Sequence, residues 1–377
     1  MAPLYRLGDH GPPVVEVRDR LARLGLLEFP VVGDPAALEF DDNVDEAVRL
    51  FQQSRSLIAD GIVGPETFRR LEEARWSLGD RVLSYRFGHP VSGDDVAELQ
   101  QRLSTMGFDC GRVDSSLGQR TEAAVREFQR NVGLPIDGMV GPAVFRALDQ
   151  LRNTVAGGAP SQLREEMVLE NVTTGVADKV VVIDPAHTPP DADRDIGGMR
   201  RSTVVDVLAA RVEGRLAALG TSVHLTRAVS RADGSVTDPA ARAEFANRIG
   251  ADLVVSLHVD THSNPHARGL STYYFGGDRY GTSSVLGARA AELVQAEVLA
   301  RTDLLDCRSH ATTWTLLRLT RMPAIRVDSG YLTNPGDRSR LADPHFIDTL
   351  AEGIAQGVVR YFSPGQLDDD VEAVSTA

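Results

Sequence analysis

KVVVIDPAH (residues 179–187) and ADLVVSLHVD (residues 251–260) are short, valine-rich runs, each closing on a histidine or an acidic side chain. A continuous β-branched run of this length reads as a strand covered on both faces. Between them, VVDVLAARVEGRLAALG (204–220) carries the apolar spacing of an amphipathic helix that stops at Gly220, and TSVHLTR (221–227) reads as the next strand. A further helix, SSVLGARAAELVQAEVLART (283–302), and a further strand, PAIRVDSG (323–330), continue the alternation. Strand–helix–strand order predicts an α/β layer fold with a mostly parallel, twisted sheet flanked by helices. Ligand sites in such sheets lie at the C-terminal strand ends. His187, His258 and Asp328 stand there.

Upstream the texture differs. DGIVGPETFRRL (60–71) returns as DGMVGPAVFRAL (137–148), and the match extends back without a gap to AVRLFQ (47–52) and AVREFQ (124–129). Ala47, Val48 and Phe51, like Ala124, Val125 and Phe128, fall on one helix face. Asp-Gly then turns the chain, and Gly-Pro opens a new helix with proline in its first turn. VVEVRDRLARLGLL (14–27) and DDVAELQQRLSTMGF (94–108) supply a first helix to each copy, so two small three-helix domains are predicted. Copy one carries a few extra residues around EFPVVGDPAALEF (28–40). The expected boundaries are 1–78 and 79–152 for the two copies, 153–177 for a linker, 178–364 for the α/β domain and 365–377 for an acidic, disordered tail.

Composition narrows the function. A net charge of −13 argues against nucleic acid and against docking on an anionic membrane. The two cysteines, Cys110 and Cys307, make no disulfide framework. MAPLYRLGDHGPP (1–13) lacks the basic start and apolar run of a signal peptide, and no stretch approaches the roughly 20 apolar residues that span a bilayer. A cytoplasmic location is expected.

The repeated phrase resembles the peptidoglycan-binding-like domain that accompanies cell-wall hydrolases. DPAHTPP (184–190), GGMRRS (197–202), SLHVDT (256–261) and VDSGYLTN (327–334), in that order, resemble the motifs of the zinc-dependent N-acetylmuramoyl-L-alanine amidases (amidase family 3) over residues 178–362. The resemblance implies an α/β amidase domain preceded by two peptidoglycan-binding-like domains. It also implies a chemistry. A catalytic zinc takes three protein ligands and a water, lowers the water's pKa and polarises an amide carbonyl. A glutamate beside it works as general base. In that family the bond cut joins muramic acid to the L-alanine of the stem peptide.

By the same resemblance His187 and His258 match the two histidine ligands, while Arg201 falls on the position of the glutamate ligand and Asp328 on that of the catalytic glutamate. A permanently charged guanidinium repels a metal cation, and an aspartate is one methylene short. Zn²⁺ is therefore doubtful as cofactor. Asp195, Asp206 and His262 are alternative third ligands, and an Arg201–Asp328 ion pair is the expected substitute for the metal. Arg326, alternating with Asp328 on one strand face, and Asn334 are expected to touch substrate.

The layout of two repeats ahead of an amidase-like domain, and the stretch TTWTLLRLTRMPAIRVDSGYLTNPGDR (312–338), resemble the actinobacterial CwlM-like branch of the family. That resemblance implies a regulator of peptidoglycan precursor synthesis. Its partners would be muramyl-peptide precursors or peptidoglycan, UDP-N-acetylglucosamine enolpyruvyl transferase and a Ser/Thr kinase. The alternatives are a working zinc amidase and a non-catalytic peptidoglycan-binding scaffold.

Overall fold

The computed structural model describes residues 4–29, 35–86, 91–151, 175–186, 195–227, 238–277 and 282–363. His187, residues 153–174 of the predicted linker and the predicted tail lie outside them. The chain forms two compact units, Met1–Arg164 with Gly277–Thr282, and Glu165–Gly276 with Ser283–Ala377. No helix among the described residues is long and apolar enough to cross a membrane.

The first unit contains α1 (Pro12–Arg23), α2 (Asp42–Ser54) and α3 (Pro65–Glu73), then α4 (Asp94–Thr105), α5 (Gln119–Asn131) and α6 (Pro142–Leu151). Two-residue strands β1 (Val91–Ser92) and β2 (Ser116–Leu117) pair antiparallel. The apolar faces of each helix trio close on one core, around Val17, Leu21, Val48, Phe51 and Leu71 in copy one and Leu99, Leu103, Val125, Phe128 and Leu148 in copy two.

The repeated phrase has a polar reason as well. The buried Gln52 side chain on α2 donates to Asp60 Oδ1 (2.7 Å), Ile62 O (3.0 Å) and Thr67 Oγ1 (3.1 Å), and accepts from Gly61 N (2.9 Å). Gln129 repeats this on α5, donating to Asp137 Oδ1 (2.7 Å) and Met139 O (3.0 Å) and accepting from Gly138 N (2.9 Å). Gly61 and Gly138 sit at φ +74° and +73°, the left-handed region that glycine adopts without strain. The words FQ and DG are thus two halves of one clamp. Gln100 on α4 makes a third such clamp with Asp114, Ser116 and Thr121. In copy one Arg18 stands at the matching point of α1, reaching instead to Glu39 O (2.9 Å) and Asp41 (2.6 Å) across the longer loop. Between the copies, Arg55 grips Asp94 with both terminal nitrogens, at 2.9 and 2.6 Å.

The second unit is built on β3 (Val180–Pro185), β4 (Ser222–Leu225), β5 (Leu253–Asp260), β6 (Leu270–Phe275), β7 (Asp306–Thr312) and β8 (Ala324–Tyr331). Their order is β4-β3-β5-β8-β6-β7. All neighbours are parallel except β6 and β8. One face carries α7 (Arg201–Ala218), α9 (Val285–Leu299) and α12 (Pro344–Phe362) over Val181, Ile183, Val255, Leu257, Ile325 and Val327. The other carries α8 (Pro239–Ile249) and α10 (Thr315–Leu319) over a smaller core with Val182, Val254, Phe275 and Ala324. A short α11 (Pro335–Leu341) follows β8.

Side chains along a strand alternate between faces. On the α8/α10 side, Val182 is therefore followed by Asp184, Val254 by Ser256 and His258, and Ala324 by Arg326 and Asp328. That face is apolar toward the N-terminal ends of the parallel strands and polar toward their C-terminal ends. The change of texture positions the site.

Candidate active site at the C-terminal strand ends

Strand register sets the polar residues in rows. Asp184 on β3 pairs with Ser256 on β5, Ser256 with Arg326 on β8, and Arg326 with Tyr273 on β6. In the next row His258 pairs with Asp328, and Asp328 with Ser271. Past a break in register after His258, Asp260 pairs with Tyr331.

Two hydrogen-bonded groups occupy these rows. The first centres on Asp184, which is fully buried. Its Oδ1 accepts from Thr226 Oγ1 (2.6 Å), and its Oδ2 from Ser256 Oγ (2.6 Å) and Arg242 Nη1 (2.5 Å). Burial alone would raise this carboxyl's pKa, but the Arg242 charge and the hydrogen bonds from Arg242, Ser256 and Thr226 outweigh it and hold the pKa below the usual carboxylate range. Ser256 Oγ also lies 3.0 Å from His258 Nε2.

The second group centres on Arg326. Its Nε and Nη2 meet the two oxygens of Asp328 at 2.5 and 2.8 Å, and Nη2 lies 3.2 Å from Asp260 Oδ2. Its guanidinium carbon stands 4.3 Å from the centroid of the Trp314 ring, a cation–π stack. Burial opposes the Arg326 charge, yet Asp328 and Asp260 raise its pKa further. Burial in turn pushes the Asp328 carboxyl up, against the pull of Arg326. Arg201 opens α7, its Nη1 3.7 Å from Asp260 Oδ1. Asp260 is thus shared by two guanidinium groups. An arginine in the first turn works against the helix dipole, which favours acidic side chains there, and Arg200 at the N-cap makes no capping bond.

These placements revise several sequence expectations. Arg201 does turn into the site, but the carboxylate recorded beside it is Asp260, while Asp328 is held by Arg326, its neighbour on the same strand face. Asp206 pairs with Arg227 (2.5 Å), Asp195 accepts from Gly198 N (2.8 Å), and His262 Nδ1 accepts from Asn264 N (3.0 Å). Asp195 and His262 are thus engaged within their own loops, and Asp206 with an arginine just past β4. Asn334, expected at the substrate, caps α11 by accepting from Gly336 and Asp337 N, and donates to Pro265 O (2.8 Å). Arg326, expected at the substrate too, is committed to Asp328, Asp260 and Trp314.

Zinc needs a set of three protein donors. Among the described residues no group of three or more His, Cys, Asp and Glu side chains is placed to hold a metal ion. The described side chains by themselves do not fit zinc: the Arg201 guanidinium enters the site, and the two nearby carboxylates, Asp260 and Asp328, are paired with arginine.

Sequence reading missed Asp184, Ser256, Thr226, Arg242, Asp260 and Trp314. A signal existed for two of them. Asp184 shares the DPAH segment with His187, and Ser256 precedes His258 by one strand period.

The profile described as N-acetylmuramoyl-L-alanine amidase matches residues 181–360, and that of the peptidoglycan binding domain matches residues 10–71 and 92–148. The N-acetylmuramoyl-L-alanine amidase CwlM of Mycobacterium tuberculosis is 42% identical over 96% of this chain and 90% of its own length. The N-acetylmuramoyl-L-alanine amidase LytC of Bacillus subtilis is 26% identical over 52% of this chain and 38% of its own. Among solved structures, the N-acetylmuramoyl-L-alanine amidase AmiC2 of Nostoc punctiforme is 32% identical over 48% of this chain and 96% of its own, with a TM-score of 0.43. With two peptidoglycan-binding repeats ahead of its α/β domain, the chain belongs to the N-acetylmuramoyl-L-alanine amidase family.

Proposed function

We propose that this protein is a catalytically weakened member of the family that binds muramyl-peptide and acts in the cytoplasm as a regulator of peptidoglycan precursor synthesis. The observation that carries the reading is the arginine–carboxylate cluster. Arg201 stands where the family's glutamate ligand is expected, and Asp260 and Asp328 are both engaged by arginine. In the family's expected arrangement a glutamate completes the metal's ligand set and a second carboxylate is available as base; this cluster offers neither. The two repeats support peptidoglycan or its precursors as ligand. The regulatory role and the cytoplasmic place follow from the resemblance to CwlM-like proteins, with UDP-N-acetylglucosamine enolpyruvyl transferase as the partner and a Ser/Thr kinase upstream.

Amide cleavage of purified peptidoglycan, with trace zinc supplied, tests the catalytic half of the reading. Binding without release of L-alanine amino termini is expected, and release at the rate of a working amidase would overturn it. The rate of purified enolpyruvyl transferase with and without this chain tests the regulatory half; an unchanged rate at saturating chain would remove that partner. A second reading, a working zinc amidase, is favoured by one observation: the sequence keeps both histidines, and His258 keeps an ordered hydrogen-bonded support.

A further inference from the structure

The support beneath His258 determines more than the orientation of the ring. We infer that Asp184, acting through Ser256, fixes His258 as the tautomer protonated on Nε2, which makes Nδ1 the ring's lone-pair nitrogen. Asp184 and Ser256 are positioning residues in this account. Neither depends on whether the site binds a metal or cleaves anything, so the inference stands apart from the function proposed above.

The argument is a count of protons along one line. Asp184 receives Arg242 Nη1 and Ser256 Oγ on one oxygen and Thr226 Oγ1 on the other, at 2.5, 2.6 and 2.6 Å. A carboxylate in that company is ionised and can only accept. The Ser256 hydroxyl proton must then point at Asp184, because two oxygens at 2.6 Å without a proton between them would repel. With its one proton spent, Ser256 Oγ faces His258 Nε2 at 3.0 Å as an acceptor. Only a ring carrying hydrogen on Nε2 satisfies it. A neutral imidazole with that proton has its lone pair on Nδ1. Through Nδ1 the ring would take a donor, such as the N–H of an amide, or a cation. The opposite tautomer would set two lone pairs against each other in a buried place.

Long-range ¹H–¹⁵N correlation spectra of the full chain labelled with ¹⁵N-histidine read the tautomer directly, with His258 assigned by its loss in His258→Gln. The expected wild-type signal is a proton-bearing Nε2 with an unprotonated Nδ1. Ser256→Ala should lower the tautomer ratio by roughly tenfold or more, the effect of one lost hydrogen bond backed by a charge, and Ser256→Thr should restore it. A wild-type ring protonated on Nδ1, or on both nitrogens, would overturn the inference. So would a folded Ser256→Ala chain with an unchanged ratio, since a merely structural serine leaves the ratio alone. Should Ser256→Ala fail to fold, Ser256→Cys takes its place, since a thiol is a weak acceptor: the same fall in ratio is expected, and an unchanged ratio would overturn the inference.

Discussion

Arg326 and Asp328, two residues apart on β8, meet through paired hydrogen bonds of 2.5 and 2.8 Å on the face where the family's chemistry would be done. This pair joins a basic and an acidic group that the sequence had suggested for different tasks. Its geometry suits mutual neutralisation, and the Trp314 ring beneath Arg326 keeps the guanidinium in place.

Removing one partner from a buried pair leaves the other charged without compensation, at a typical cost of about 3–5 kcal/mol. Arg326→Met should destabilise the α/β unit by that order in urea denaturation. Burial already raises the Asp328 pKa, and losing Arg326 raises it further. A carboxyl whose folded pKa is raised gains stability on protonation, so the variant's deficit should shrink as the pH is lowered from neutrality. A deficit that does not change with pH would mean Asp328 is not the group left unpaired.

Asp184 has the opposite sign. Its pKa is lowered by its partners, so its contribution is fully present above the ordinary carboxylate pKa of about 3.9 and is lost as the pH falls through the lower folded value. Asp184→Asn should remove that part of the acid dependence while lowering stability at neutral pH. Denaturant midpoints of both chains across the acid range provide the check.

Close packing of α9 on α12 predicts a sharp difference between two glycines. A methyl at Gly357 would lie 2.5 Å from the backbone Cα of Val294, whereas one at Gly214, in α7, meets nothing within 4 Å. Gly357→Ala should cost about 1–3 kcal/mol through forced separation of the helices. Gly214→Ala should gain about 0.5–1 kcal/mol from helix propensity. Thermal midpoints that move in the same direction would contradict the packing described.

The glutamine clamps give a parallel test in the first unit. Gln52→Ala and Gln129→Ala each strip a buried acceptor from a turn glycine N–H and a donor from an Asp, and each should cost about 1–3 kcal/mol. Substitution of Gln101, half-buried on the next position of α4, should have little effect by the same denaturation measurement. Equal losses at all three would mean the clamps contribute nothing specific, since Gln→Ala by itself slightly favours a helix.

Much of this fold could be read in the chain because its periods are strong. The valine-rich runs at 180–185 and 253–260 became β3 and β5, and the paired phrases became matching helix trios. β6 and β7 escaped notice for a physical reason. β7, DCRSHAT, is an edge strand with a largely polar, partly exposed pattern, and β6 packs its aromatic residues from a short run after a loop. The site was legible as residue types at strand ends but not as partnerships. Alternation placed Arg326 and Asp328 on one face, yet Asp260 joins Arg201 and Arg326 only past a break in register, which no sequence period announces.

Zinc stoichiometry of the purified full-length protein, by elemental analysis after dialysis against trace zinc, tests the central claim most directly. The arginine cluster predicts far less than one zinc per chain, with the wild-type value unchanged in His258→Ala. One zinc per chain, lost in His258→Ala and in His187→Ala, would mean that a third ligand completes the site despite Arg201 and that the family's hydrolytic chemistry is intact.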